Sequence, residues 1–220
     1  MRKISPHILI SILFVCICEA QGFGIRAAIG QYASQAEQID GKTGNSFLLA
    51  VNLEPKKTFR IDIGVRYNGV RESSVNLPLL TTSFLEIESI KQKIGYTGVY
   101  VAPGLNVDLT QIGSGMEAYI IGGGGLGFST VVTKVDFTDT TTTPLYKVEY
   151  FKSRDYWKPF WLIGGGIKIQ IFYFGIFGEV AYYDGEEVEY NPLTIYGEEI
   201  SPGGNISPRG FAAYLGISWN

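Results

Sequence analysis

The charged residues of this chain stand at alternate positions within apolar segments, and this pattern limits the chemistry available to them. In the segment 59–68, the polar positions include Arg60, Asp62 and Arg66, each flanked by aliphatic or aromatic residues. The same alternation places further charges at Arg26, Asp108, Glu117, Lys168 and Glu179. Paired carboxylates could serve as a general acid and base, but carboxylates that face arginine or lysine are neutralised structurally. Since these eight positions carry four positive and four negative charges, we predict a balanced internal ion network.

The residue types that most often perform catalysis or bind metals occur here only near the N-terminus. The chain has two cysteines and one histidine, at His7, Cys16 and Cys18. Residues 1–20 have the pattern of a cleaved signal peptide, with a cationic start, an eleven-residue apolar run and Ala20 before the predicted cleavage site. That run is too short to span a membrane, which needs about 20 residues. Cleavage would remove every thiol and imidazole, so we expect no cofactor, no zinc site and no histidine- or cysteine-based catalysis.

The alternation itself predicts the elements that position these charges, in one all-β domain over residues 21–220. Eight segments alternate apolar with polar or small residues: 23–30, 47–54, 59–68, 85–109, 116–132, 157–169, 172–183 and 210–219. Short links are expected at 54–57, 110–114 and around Gln170, and long polar links at 33–45, 72–82, 133–156 and 184–207. This order is typical of an eight-stranded antiparallel up-and-down transmembrane barrel with short periplasmic turns and long extracellular loops.

The polar face of these strands indicates a packed interior. In a membrane barrel the apolar face contacts lipid and the polar face fills the lumen, whereas a soluble β-sandwich, the alternative, would expose these charges to water. An eight-stranded barrel is just wide enough for side chains to fill it. Small residues on the polar face would give the long charged side chains room, and these are Gly64, Gly104, Gly164, Gly166 and Gly216.

One glycine motif matches a cofactor-binding pattern, but the residues that follow it exclude that function. Gly122–Gly127 matches the dinucleotide-binding pattern G-x-G-x-x-G, which works only where a helix follows and presents its N-terminus to pyrophosphate. Here the segment 128–132 continues as a predicted strand. We therefore interpret these glycines as sites of close packing and curvature in the barrel wall.

Several strands resemble one known family. The segments 118–127, 161–166 and 177–183 are similar to strands of the small outer-membrane β-barrel domain family, which includes the OmpA transmembrane domain, OmpX and porin-like barrels of Bacteroidetes. The ending resembles the family's closing strand, through Tyr214, Gly216, Ile217 and Trp219, although the chain finishes with Asn220 and not an aromatic residue. The resemblance implies an outer-membrane location, contact with outer-membrane lipid and lipopolysaccharide, and recognition of the closing strand by the barrel-assembly machinery.

Two long links carry the remaining candidate features. The link 184–207 is acidic, and a solvated acidic surface is our interpretation because its spacing matches no calcium loop. The link 133–156 is rich in threonine, and alternation on both of its sides would let a β-ribbon continue beyond the membrane, with an edge that could recruit another strand. A passive loop is the alternative, and it is the one we expect.

These observations lead to one functional hypothesis and two alternatives. We expect a non-enzymatic integral outer-membrane barrel that supports the envelope or binds surface ligands through the links 133–156 and 184–207. A narrow channel for small solutes is the first alternative, and a lipid-modifying enzyme is the second. The net charge of −3 without a basic cluster in the sequence gives no support to nucleic-acid binding.

Overall fold

The fold is a closed ring of eight antiparallel strands that carries a smaller folded unit at one end. The computed structural model describes residues 22–35, 43–74, 84–109, 115–140 and 143–219, so the predicted signal peptide and Asn220 lie outside the described residues. The ring strands are β1 (Gly22–Ser34), β2 (Thr43–Lys56), β3 (Phe59–Ser74), β4 (Leu85–Asp108), β5 (Met116–Asp139), β6 (Leu145–Ile171), β7 (Phe174–Gly185) and β12 (Gly210–Trp219). Four short strands precede the last one: β8 (Val188–Tyr190), β9 (Leu193–Ile195), β10 (Glu198–Ser201) and β11 (Gly204–Ile206).

Each ring strand pairs with its neighbours along the chain, and β12 pairs with β1 to close the barrel. The closure runs over ten residue pairs, from Ile25 opposite Trp219 to Ser34 opposite Gly210. The predicted eight-stranded up-and-down architecture is therefore confirmed. None of the described residues forms a helix long and apolar enough to cross a membrane.

The two faces of the barrel wall have the polarity of a membrane protein. Outward side chains are apolar, and Ile120, Leu215 and Ile217 are each more than 60% exposed. Inward side chains include charged residues, and Arg26 and Asp62 are at most 2% exposed. A barrel dissolved in water has the opposite arrangement, so this wall is suited to lipid outside and a polar packed interior.

Aromatic rings mark both ends of the apolar belt. Near the end with long links, Tyr182 lies between Trp161 and Phe211, at ring-centroid distances of 5.5 and 4.9 Å. Near the end with short turns, Phe174 contacts Trp219 at 5.3 Å. Such girdles are typical of the two interfaces of a membrane barrel. We call these ends the long-link end and the short-turn end.

The glycine motif lies within β5, as its strand context predicts. A Cβ atom at Gly123 would lie 2.1 Å from the carbonyl oxygen of Val101, and one at Gly125 would lie 1.9 Å from that of Val99. Strands β4 and β5 can therefore approach closely only because these positions carry no side chain. The motif forms barrel wall.

The strands β4, β5 and β6 continue beyond the barrel at the long-link end, which corrects two expectations. The link 133–156 was expected to be a passive loop, but β5 extends to Asp139 and β6 begins at Leu145, so the β-ribbon alternative is the correct one. Likewise, the link 184–207 is not a simple polar loop, because it contains β8 to β11 in two small antiparallel sheets. A smaller correction is that β7 begins at Phe174, since Phe172 and Tyr173 form the turn.

These extensions form a folded unit whose apolar core continues into the barrel. We call residues 186–209 the cap, and the cap together with residues 85–96, 129–139 and 145–158 the head. The cap buries six aliphatic and aromatic side chains: Val188, Tyr190, Leu193, Ile195, Ile200 and Ile206. They belong to one hydrophobic cluster with buried side chains of the extended sheet: Leu85, Ile90, Ile94, Val131, Val135 and Phe137. Apolar burial therefore stabilises the head, whereas the barrel interior combines apolar burial with buried charged groups.

Candidate functional site: the filled lumen and its cap

Two carboxylates organise the middle of the lumen, and Asp62 is the first. Its oxygens accept hydrogen bonds from Arg26 Nη1 at 2.6 Å, Arg60 Nη2 at 2.9 Å and Asn52 Nδ2 at 3.2 Å. These partners come from β1, β3 and β2, because the strand register brings their inward positions to one level. Asp62 is fully buried, so the arginines supply the charge that its burial requires.

Glu179 on β7 is the second carboxylate, and it joins the opposite side of the barrel to the same cluster. It accepts hydrogen bonds from Arg26 Nη2 at 2.7 Å, Arg66 Nη2 at 2.6 Å and the Tyr119 hydroxyl at 2.9 Å. Arg26 thus bridges Asp62 and Glu179, and its second guanidinium nitrogen also contacts the Tyr119 hydroxyl. The resulting chain of contacts crosses the lumen from β3 to β7.

Aromatic faces stack on the three guanidinium groups. The guanidinium carbon of Arg60 lies 4.0 Å from the centroid of Tyr119, that of Arg26 lies 4.0 Å from Phe177, and that of Arg66 lies 4.6 Å from Tyr100. Three buried arginines face two buried carboxylates, which leaves one excess positive charge in this layer. Cation–π contacts in a desolvated setting help to stabilise that excess.

A hydrogen-bonded tyrosine layer lies next to the arginines, toward the long-link end. Tyr183 accepts a hydrogen bond from Arg66 Nη1 and contacts the Tyr214 hydroxyl at 2.9 Å. The Tyr214 hydroxyl in turn contacts Ser46 at 2.7 Å and Asn68 at 3.1 Å. We call the arginine, carboxylate and tyrosine groups of these two levels the lumen layer.

Glycines on the inward face provide the space that the lumen layer occupies, as their positions predict. A Cβ atom at Gly166 would lie 2.7 Å from the Tyr119 hydroxyl, and one at Gly104 would lie 3.1 Å from Arg60 Cγ. Larger residues there would push against the side chains that fill the lumen. Long side chains therefore fill the cross-section of the lumen, in the space that the glycines leave.

The predicted ion network divides into two groups. The structure brings five of the eight residues together: Arg26, Arg60, Asp62, Arg66 and Glu179. Glu117 and Lys168 are register partners nearer the short-turn end, where Glu117 is half-buried and Lys168 is buried. Asp108 is exposed at the last position of β4, since the lumen opens to solvent beside the turn. The structure thus gathers five of the eight predicted members into one cluster and places Asp108, Glu117 and Lys168 nearer the short-turn end.

The residues of the predicted closing-strand signal lie on both faces of β12. Tyr214 points inward into the lumen layer, and Gly216 packs on the inward side, where a Cβ atom would lie 2.7 Å from the Phe177 ring. Ile217 and Trp219 point outward and are each 62% exposed. Their role in assembly remains a prediction from the resemblance.

The cap covers the lumen at the long-link end and is tied to the barrel by polar contacts. Tyr32 donates a hydrogen bond to the Pro208 carbonyl at 2.7 Å, and Tyr96 donates one to the Ser207 carbonyl at 3.2 Å. Arg209 forms an ion pair with Asp184 at 3.2 Å. A pocket of about 50 Å³ remains between lumen layer and cap, lined by residues that include Arg66 and Tyr183, with room for about three water molecules.

The acidic residues of the link 184–207 do not come together as a metal site. Among the described residues, no group of three or more histidine, cysteine, aspartate or glutamate side chains is placed to hold a metal ion. Asp184 pairs with Arg209, and Glu186 lies 4.0 Å from the Lys158 amine. The two cations come from β6 and from the last residue of the cap, and both lie outside the link 184–207.

Several residues in or beside the lumen layer were not singled out from the sequence. Tyr119, Asn52 and Tyr183 form hydrogen bonds with the predicted charged residues. They carry no formal charge, so a search for charged pairs does not find them. Strand phase could have found one of them. Glu117 defines the inward positions of β5, and Tyr119 is two residues further on the same face.

Comparison with known proteins gives similarity in fold at low sequence identity. No protein-family model and no curated protein matches the chain. Neisserial surface protein A is 12% identical, with a TM-score of 0.45 over 91% of this chain and 97% of that one. Ail of Yersinia pestis, solved with the heparin analogue sucrose octasulfate, is 12% identical, with a TM-score of 0.40 over 90% and 99%. A major outer membrane protein of Thermus thermophilus is 10% identical, with a TM-score of 0.46 over 90% and 97%.

Proposed function

We propose that this protein is a non-enzymatic integral outer-membrane barrel that does not conduct solutes and that presents a folded head at the cell surface. The observation that carries the proposal is the filled lumen. The lumen layer crosses the barrel from β3 to β7, and the cap covers its long-link end. A barrel of this kind acts as an anchor for its head.

The surface chemistry of the barrel supports the membrane location. The outward face is apolar around the ring, with aromatic rings at both ends, and closure leaves no strand edge within that belt. Closed barrels satisfy every backbone hydrogen bond in lipid, as a membrane span must. The predicted signal peptide and the alternation of short and long links agree with a barrel exported to the outer membrane. In this orientation the short-turn end lies in the periplasm and the head lies outside.

Planar-bilayer recording of the purified barrel tests the sealed lumen. We expect no reproducible conductance steps for the full-length protein. We expect the same for a variant in which a short glycine–serine linker replaces residues 188–206, because the lumen layer beneath the cap stays in place. Conductance from both proteins would contradict the proposal and favour a narrow solute channel. Conductance from the capless variant alone would show that the cap, and not the lumen layer, closes the barrel.

The proposal that the barrel is not an enzyme rests on the pairing of its buried carboxylates. Asp62 and Glu179 each accept hydrogen bonds from two arginines, which holds both oxygens of each group in structural contacts. Comparison of outer-membrane lipid profiles from cells with and without the protein tests it. Altered acylation or phosphorylation of the surface lipids, reversed by an Asp62→Asn variant less well than by the wild type, would favour a lipid-modifying enzyme.

A further inference from the structure

The outer face of the extended sheet carries a cluster of cations that the lumen and the cap do not use. Strand register places Lys91 opposite Lys134 and places Lys93 and Lys152 on either side of Val132. One row closer to the membrane, Arg154 lies opposite Thr130. Five basic side chains therefore occupy three successive rows on one face of β4, β5 and β6.

Most of this positive charge is uncompensated. Within the described chain, no carboxylate lies within 4.0 Å of Lys93, Lys152 or Arg154, and all three side chains are exposed. Lys134 pairs with Asp136 at 2.8 Å, one row farther from the membrane. In the two rows nearest the membrane, Lys93, Lys152 and Arg154 therefore form no ion pair with the described residues, and Arg71 and Glu72 of the β3 bulge lie opposite Lys93.

The height of these rows above the apolar belt points to a lipid headgroup. Phe128 is the last exposed apolar residue on β5 below the head, and Thr130 and Val132 follow it at two and four residues. With about 3.3 Å per residue and a strand tilt of about 40°, these rows lie roughly 5 and 10 Å above Phe128. The headgroup layer of one leaflet is about 5–8 Å thick, so Arg154, Lys93 and Lys152 lie at or just above its level.

A groove connects the apolar belt to these cations. Its volume is about 290 Å³, and it is lined by Tyr67, Lys93, Gly95, Thr97, Phe128, Thr130 and Val132. The groove exists because Gly95 has no side chain, and a Cβ atom there would lie 3.2 Å from the Tyr67 ring. Its lower end is aromatic and its upper end is cationic. An acylated molecule with a phosphate has this same division along its length.

We propose that this basic groove, lined by Tyr67, Lys93 and Phe128 and flanked on β6 by Lys152 and Arg154, binds a phosphorylated lipid of the outer leaflet. The lipid's apolar part lies against Tyr67 and Phe128, and its phosphate contacts the cations above. This inference rests on the proposed outer-membrane location and orientation, but not on the sealed lumen. A sulfated polysaccharide would also bind cations, but it has no apolar part to occupy the aromatic end of the groove at membrane level.

Native mass spectrometry of the purified barrel in detergent, titrated with bisphosphorylated lipid A, tests the proposal. The Lys93→Gln/Lys152→Gln variant is compared with Lys56→Gln/Lys57→Gln, which removes the same charge from exposed lysines at the short-turn end. Each cation near anionic lipid contributes about five-fold to binding, so we expect the first variant to bind about 25-fold more weakly. The control variant should bind as the wild type does, and dephosphorylated lipid A should bind weakly to all three.

Three results would overturn the proposal. Equal binding by both variants would show that the cations do not contact the lipid, and equal binding of dephosphorylated lipid A would show that phosphate is not recognised. Lysine-dependent binding of a heparin oligosaccharide, without lysine-dependent binding of lipid A, would assign the surface to a glycan. Conductance recorded on the same preparations separates the two proposals, since a conducting barrel that binds lipid A through Lys93 contradicts only the sealed lumen.

Discussion

The barrel and the head share strands, yet only the barrel interior is organised around buried charges. Along β5, the inward positions of the barrel include Glu117 and Tyr119, whereas those of the head include Val131, Val135 and Phe137 beside the uncharged polar Ser129 and Thr133. The outward positions change in the opposite sense, from Ile120 and Phe128 in the barrel to Lys134 and Thr138 in the head. The period of two continues without interruption, so the same alternation serves two environments.

The change follows from what surrounds each part of the strand. In lipid, an apolar outer face costs nothing, and the interior must be closed by side chains that satisfy one another. In water, apolar side chains are stabilised by burial, so they turn inward and the outer face becomes polar. A bulge on the β5–β6 pair between Gly127 and Ser129 lies at this boundary, and Trp157 has a positive φ of 56° there. The two cores should therefore respond differently to substitution.

The largest expected effect is on the ionic interior of the barrel. Replacing Glu179 with glutamine leaves Arg66 without a carboxylate and Arg26 with only one, in a buried site. Breaking a buried ion pair from one side costs about 3–5 kcal/mol, so the free energy of unfolding should fall by this amount. Urea unfolding of the barrel in lipid vesicles measures it. The half-buried Glu117→Gln is the control, and an equal loss in both variants would contradict the special role of the lumen layer.

The apolar interior of the head should show a smaller and more local effect. Ile195 on β9 is fully buried in the cap, and truncation to alanine removes apolar contacts and leaves a cavity. We expect the head to lose about 2–4 kcal/mol. Limited proteolysis within the cap should become faster. The difference in mobility on detergent gels between unheated and boiled protein, which shows whether the barrel is folded, should stay the same. The exposed neighbour Thr194→Ala is the control. A destabilised barrel in the Ile195→Ala variant would show that the two cores unfold as one unit.

The polar contacts between the two regions allow a third test, with a matched pair of hydroxyl deletions. Tyr32→Phe removes the hydrogen bond to the Pro208 carbonyl and should increase amide hydrogen exchange in the cap by an amount that corresponds to about 1 kcal/mol. Tyr100→Phe removes a buried hydroxyl for which the described residues provide no hydrogen-bond partner. That variant should be as stable as the wild type or more stable. The reverse order of effects would contradict the assignment of Tyr32 as a cap anchor.

The contrast between the two cores also explains what the sequence could predict. Alternation is a local signal, so it predicted the ring strands and the inward direction of Arg26, Arg60, Asp62, Arg66 and Glu179. It could not predict which inward charges meet, because that depends on register between strands distant in sequence. Asp108 shows this limit, since its phase is inward but its position at the end of β4 leaves it exposed.

The head was missed for a different reason. Its short strands, such as β8 and β9, have two buried residues each, at Val188 and Tyr190 and at Leu193 and Ile195. These runs are too short to distinguish from a polar loop, and the surrounding glutamates dominate the composition. Such short segments are buried only because the extended sheet of β4, β5 and β6 provides an apolar face for them to pack on. The expectation of a passive loop at 133–156 left that sheet out of the prediction.

The smallest expected effect is a pH dependence confined to the head. The Asp136 carboxylate accepts hydrogen bonds from Ser89 and Tyr146 and forms an ion pair with Lys134. The contact with Lys134, followed by that with Ser89, lowers the pKa of Asp136 from 3.8 to about 2. Because the pKa is lower in the folded state, this contribution to stability is fully present above about pH 4 and is lost as the pH falls toward 2.

A carboxyl NMR titration of Asp136 in lipid nanodiscs should therefore give a midpoint near pH 2. Ser89→Ala should raise that midpoint, since the hydroxyl no longer stabilises the charged form. In the wild type, the rate of cap proteolysis by an acid-active protease should rise as the pH falls from about 4 to 2. In the Asp136→Asn variant, the part of this rise that is due to protonation of Asp136 should be absent. The lumen layer should be unaffected by these substitutions, because Asp136 and its partners lie outside the barrel. A midpoint near 3.8 in the wild type would contradict the ordered contacts on the outer face of the head.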